Sequence, residues 1–157
     1  FFFFFFFNDT ATTEIYTWAG QERDYPTGRG SVPFAKPEFI AHWMEAQFEK
    51  LRGVPETTLL KTQGFAETMG EMANEINAAH PFVEGNGRTM RAWIGEMAKA
   101  RGLKIDWGKI SKEAWYEASE TGFETGDPAK LGALLSGAIA PMEAKKTKKQ
   151  DPLETIS

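Results

Sequence analysis

Apolar residues recur at three- and four-residue steps along several stretches of this chain, the period of a helix with one buried face. Phe39, Ile40, Trp43, Met44, Phe48 and Leu51 trace one such stripe, with Gln47 as its polar member. Pro37 ahead of it suits a first helical turn, and Gly53 and Pro55 close it. A second helix is expected over about Thr57 to Ala79, with Leu59, Leu60, Phe65, Met69, Met72 and Ile76 facing the core. Gly64 and Gly70 weaken its propensity, and Pro81 stops it. The period returns from Arg88 to Arg101 through Met90, Trp93, Ile94 and Met97, ending at Gly102. Further helices are predicted over about Lys109 to Ser119 and Pro128 to Ile139, the latter entered through Asp127-Pro128 as cap and first turn. Ile105 to Trp107 reads as extended, and no segment has the alternation of a long strand.

The stretch before these helices differs. Trp18 to Phe34, WAGQERDYPTGRGSVPF, carries three glycines and two prolines, a spacing through which no helix runs. It predicts a loop with a short hairpin around Thr27 to Ser31. The predicted architecture is therefore all-α, with a small hairpin before the core helices.

At 157 residues with 41% hydrophobic content, the chain is sized for one domain with a real core. The ends stand apart from it. FFFFFFFNDTATTEIYT lacks the basic start and cleavage site of a signal peptide. Asn8 to Thr17 reads as the translation of a common sequencing-adapter oligonucleotide behind a homopolymer, so residues 1 to 17 are read here as a non-native leader. Residues 18 to 141 form the expected domain. Residues 142 to 157, with KKTKK and a proline, read as a polar tail or linker.

The net charge of −4 gives no global basic field, which argues against nucleic acid as a partner. No apolar run reaches the roughly 20 residues that span a bilayer, so no membrane partner is expected either. The absence of cysteine removes disulfides and thiolate chemistry and fits a reducing cytoplasm. We expect a cytoplasmic, bacterial protein; translocation into a host cell stays open as an alternative, though nothing in the sequence indicates it.

Residues 80 to 91, HPFVEGNGRTMR, concentrate the chemistry. The stretch lies between two predicted helices, so Phe82 to Gly87 must be a tight connection, with Phe82 anchoring it in the core. Gly85 and Gly87 permit backbone angles that other residues resist and let the main chain approach a ligand. The next helix opens with unpaired N–H groups and a partial positive charge, a natural seat for phosphate. Arg88 and Arg91 lie three apart and offer two forked donors to further phosphate oxygens. Glu84 would repel a bare phosphate unless a divalent cation intervened, and Mg²⁺ bound by one carboxylate, phosphate oxygens and water resolves this. His80 titrates ordinarily near 6.5 and can accept a proton from an attacking hydroxyl. His42, on a charged helix without such neighbours, reads as structural or solvent-facing.

These residues resemble the Fic family, whose signature His-x-Phe-x-Asp/Glu-Gly-Asn-Gly-Arg-x-x-Arg is met at every specified position. The likeness extends to Trp18, since WAGQERDYPTGRGSVPF is similar to the family's WAGxxR segment followed by the hairpin called the flap. It implies a Fic-type helical bundle that transfers AMP from ATP to a Ser, Thr or Tyr hydroxyl of a target protein. By the same resemblance His80 is the general base and Glu84 the Mg²⁺ ligand. Gly85, Asn86 and Gly87 would hold the α-phosphate, and Arg88 and Arg91 the β- and γ-phosphates. The flap residues Tyr25, Thr27, Gly28, Arg29, Gly30, Ser31, Val32 and Phe34 would align the target segment by main-chain pairing. Glycine at position 87, where Doc-like kinases of the family carry lysine, favours nucleotidyl transfer. Transfer of another nucleotide, phosphate or phosphocholine, or a silent nucleotide-binding module, are the alternatives.

Many members are silenced by a helix of pattern Ser/Thr-x-x-x-Glu-Gly/Asn whose glutamate occupies the second signature arginine. No segment from Trp18 onward fits it, so the resemblance implies control from elsewhere, including a separate antitoxin-like protein.

Overall fold

The computed structural model describes residues 19–143. The proposed leader, Trp18 and all but the first two residues of the tail lie outside the described residues. Six helices and two small antiparallel sheets follow one another in the described residues. Strands β1 (Gly28–Arg29) and β2 (Val32–Pro33) form the hairpin, Gly28 opposite Pro33 and Arg29 opposite Val32. Helix α1 spans Pro37–Arg52, with proline in its first turn and Gly53 at its end. The expected second helix is two: α2 (Glu56–Leu59) and α3 (Thr62–Ala79). The break at Leu60 and Lys61 turns Leu60 outward, 54% exposed, so it leaves the predicted core. Helix α4 (Asn86–Lys99) begins inside the motif.

Beyond it, β3 (Leu103–Ile105) leads to a single 3₁₀ turn at Trp107–Lys109. Helix α5 spans Lys112–Thr125, capped by the Ser111 side chain on the Ala114 N–H and ended by left-handed Gly126. It starts later and runs further than predicted because Ser111 is the better cap. Helix α6 (Ala129–Ala138) passes into β4 (Ile139–Pro141), which pairs antiparallel with β3, Ile105 opposite Ile139. The expected extended stretch, Ile105 to Trp107, shares only Ile105 with this sheet, because Asp106 accepts from the Gly108 N–H and Trp107 opens the 3₁₀ turn.

Helix α3 is the axis of the core, with Phe65, Ala66, Met69 and Ile76 fully buried, and it packs most extensively on α6. Gly70 explains how closely. A Cβ there would lie 2.6 Å from the Gly132 nitrogen and 2.8 Å from its Cα. The glycine that lowers helix propensity is thus the site where α3 and α6 meet backbone to backbone. Phe48 of α1 meets Trp93 of α4 edge-on, with ring centroids 5.4 Å apart, tying the motif's helix to the core.

Candidate active site

Helix α3 ends on His80, whose backbone is left-handed at φ 46°, ψ 62°. It is the only non-glycine residue with positive φ among the described residues. Such backbone persists only where surroundings over-determine it, and here they do. The His80 N–H donates to the Ile76 carbonyl at 2.8 Å, and the His80 carbonyl accepts from Arg23 Nε at 2.7 Å. The imidazole stacks on Phe34 with centroids 4.0 Å apart and planes within 5°.

Arg23, the arginine of the WAGxxR segment, has no role assigned by sequence alone. Its side chain is 2% exposed, and its donors reach four carbonyls: His80, Tyr25 at 2.9 Å, Ala79 at 3.0 Å, and Ala35. Its backbone N–H also donates to the Pro81 carbonyl at 2.8 Å. One guanidinium therefore ties both ends of the flap to the C-terminus of α3, where carbonyls lack helical partners and a cation is favoured. The available signal is its place as the arginine of the WAGxxR segment, one of two arginines in that glycine- and proline-rich loop.

The loop after His80 is held by Phe82, fully buried as expected, and by Asn86. Both ends of the Asn86 amide are used on Phe82: Oδ1 accepts from its N–H at 3.0 Å, and Nδ2 donates to its carbonyl at 2.9 Å. The Asn86 side chain is thus a staple of the loop, and what Asn86 offers a phosphate here is its backbone N–H. Gly85 takes the left-handed conformation at φ 81° that starts α4. Gly87 does not. It is helical, and an added Cβ would find Arg91 Nη1 at an ordinary 3.5 Å. The expectation that both glycines serve unusual backbone angles therefore holds for Gly85 alone. The first α4 bond is Thr89 N–H to the Gly85 carbonyl, 2.9 Å, which leaves the amides of Asn86, Gly87 and Arg88 as the helix's open donors.

Arg88 projects from this first turn and Arg91 from the next, and neither pairs with a carboxylate among the described residues. Glu84 is exposed on the loop. An open depression brings together His80, Glu84, Gly85, Gly87, Arg88 and Arg91. An adjoining cavity of about 180 Å³ shares His80, Gly87 and Arg91 and continues under the flap to Trp115 and Tyr116.

The flap residues divide. Tyr25 and Val32 are exposed, at 45% and 38%, and with Thr27, Gly28, Gly30 and Ser31 they form the outer hairpin. Phe34 is buried beneath His80 rather than displayed to a target. Arg29 is turned inward over the rings of Tyr116, Phe123 and Phe34, with centroid distances of 5.1, 5.7 and 5.9 Å. These two side chains face into the site, and the main-chain pairing expected of the hairpin does not depend on where they point.

Burial, and then the charges of Arg29 and Arg23, push His80 down from 6.5 to about 4. Its imidazole is neutral at pH 7, the form that accepts a proton. Nδ1 is buried without a partner, leaving Nε2 to meet an acceptor.

The family model described as Fic/DOC family matches residues 4–98. A protein of Sinorhizobium fredii named "Probable protein adenylyltransferase y4lH" is 33% identical over 127 residues, which cover 80% of this chain and 66% of that protein. The chain spans less than two thirds of the length of the curated relatives it matches. The N-terminal Fic domain of a VirB-translocated Bep effector from Bartonella quintana, with ADP bound, is 28% identical at a TM-score of 0.70, covering 82% of this chain and 67% of that one. BepC of Bartonella tribocorum, with AMPPNP bound, shares the fold at a TM-score of 0.77 and 22% identity, covering 90% of this chain and 74% of that one. The match spans more than half of the chain and contains the whole motif, so the chain belongs to the Fic/DOC family.

Proposed function

We propose that this protein is an adenylyltransferase that moves AMP from ATP to a hydroxyl of a target protein. The observation that carries the reading is the neutral His80 beside the open N-terminus of α4 and two arginines without carboxylate partners. The acceptor oxygen bonds the α-phosphorus as the bond to the β-phosphate oxygen breaks. His80 takes the hydroxyl proton and pyrophosphate departs. The Asn86, Gly87 and Arg88 amides hold the α-phosphate, and Arg88 and Arg91 hold the leaving phosphates, where donors fixed in advance act on developing charge. The cavity beside Trp115 and Tyr116 would supply an aromatic wall for the nucleoside. The exposed hairpin edge would align the target.

Among the described residues no three His, Cys, Asp or Glu side chains gather to hold a metal by themselves. One carboxylate beside a phosphate seat is nonetheless the donor set Mg²⁺ accepts when phosphates and water complete its shell. Glu84 would hold it there, and when bound it neutralises phosphate charge. Because Arg91 meets no carboxylate among the described residues, control by a glutamate from an antitoxin-like partner belongs to the same reading.

The test supplies candidate acceptor proteins with ATP labelled at either the α- or the γ-phosphate, across a Mg²⁺ titration. Transfer of the α-label alone, weakened by Glu84→Ala, is the expected result. Transfer of the γ-label would make the protein a kinase. ATP binding with neither transfer would make it a silent module.

A further inference from the structure

The flap carries a cation whose placement target alignment does not explain. Arg29 is held by three aromatic rings, and its Nη1 is buried with no hydrogen-bond partner. No carboxylate among the described residues pairs with it. Leaving a buried guanidinium N–H unmet is costly, and because Nη1 is closed to solvent an acceptor would meet the guanidinium from the cavity that Arg29 lines. The cavity it lines also presents Arg91, Lys112 and the Gly87 end of α4, and no Asp or Glu lines it. That is an environment for an oxyanion. The Tyr116, Phe123 and Phe34 faces keep the guanidinium in place by cation–π attraction without neutralising it. The same charge depresses His80, which puts Arg29 within electrostatic reach of the base.

We propose that Arg29 is a third oxyanion ligand of the site, delivered by the flap, which grips the nucleotide phosphate beside His80. This rests on the adenylyl-transfer reading for the identity of the phosphate, but not for the existence of an anion site. Nucleotide binding would then fix the flap through β1, so the surface presented to a target is set only once the nucleotide is in place.

The full chain and its Arg29→Gln and Arg29→Lys variants are titrated calorimetrically with inorganic tripolyphosphate, AMP and adenosine, after melting curves confirm folding. Arg29→Gln is expected to weaken tripolyphosphate and AMP about tenfold or more, and Arg29→Lys less, because lysine keeps the charge but not the fork. Adenosine should bind all three proteins alike. Unchanged binding of AMP and tripolyphosphate by Arg29→Gln overturns the proposal. So does an equal loss of adenosine, which would make Arg29 a wall of the cavity. Failure of the wild type to bind either oxyanion overturns it too. Arg29-dependent binding of tripolyphosphate without any nucleotide binding would keep the anion site and sink the adenylyl reading. The converse, normal AMP binding by wild type and Arg29→Gln alike, would leave that reading standing alone.

Discussion

Arg23 Nε donates to the His80 carbonyl at 2.7 Å, so His80 and the flap hang from one guanidinium. Lysine at this position cannot reach four separate carbonyls. Arg23→Lys should lower stability by about 2–4 kcal/mol, since each buried carbonyl left unmet costs roughly 1–3 kcal/mol. Transfer should fall further than stability at temperatures where the variant is still folded, because His80 and the flap lose their common reference. Urea unfolding alongside single-turnover transfer checks this. Lost stability with kcat unchanged would reduce Arg23 to a fold residue.

Removing the imidazole should separate chemistry from binding. His80→Ala is expected to cut transfer by roughly 10²–10⁴-fold, the scale of general-base catalysis, and to leave ATP affinity nearly unchanged. Labelled-AMP incorporation beside a nucleotide titration measures both. Transfer near the wild-type rate would remove His80 from the base role.

The two motif glycines should fail differently. Gly85 sits at φ 81°, where a Cβ costs roughly 1–2 kcal/mol, so Gly85→Ala should lower the melting temperature. Gly87 is helical with room for a methyl group, so Gly87→Ala should leave stability unchanged or slightly raised. If the α-phosphate lies against the Gly87 amide, that added methyl group intrudes on the ligand and nucleotide affinity falls. Full affinity in Gly87→Ala would show that the phosphate stands clear of this position.

The helices and the loop that carries the motif were legible because both depend on local pattern: apolar period, proline at a first turn, glycine at a stop. What was not legible depends on partners distant in sequence. Arg23 gains its meaning from His80, fifty-seven residues away. Nothing local shows that Phe34 and Arg29 of the flap face inward until α3 and α5 bring His80 and Tyr116 against them. Gly70 reads as a weakness in α3 until Gly132 of α6 is set against it.

That crossing is testable. Gly70→Ala improves helix propensity by up to about 1 kcal/mol, yet it forces α3 and α6 apart at a backbone contact, and overpacking of this kind costs typically about 1–3 kcal/mol. Net destabilisation is expected, with melting lowered. A Gly70→Ala variant at least as stable as wild type would mean that the two helices separate easily here.

The depressed His80 also makes stability depend on acid. With a folded pKa of about 4 against 6.5 unfolded, the unfolded chain takes up this proton first as pH falls. Above pH 6.5 both states leave the imidazole neutral and it contributes no slope. Between pH 6.5 and 4 protonation favours unfolding, so stability is lost as the solution is acidified through that window. Carboxylates titrate there as well, and the comparison that isolates His80 is wild type against His80→Ala. The difference in unfolding free energy should be constant above pH 6.5 and should shift against the wild type below it. Phosphate should reverse the effect, because an oxyanion beside Arg29 offsets the cations that help to depress the imidazole. Adding tripolyphosphate should therefore raise the His80 midpoint, read from imidazole NMR shifts. A midpoint near 6.5 in the free protein, unmoved by tripolyphosphate, would mean that neither burial nor Arg29 acts on the base as the geometry requires.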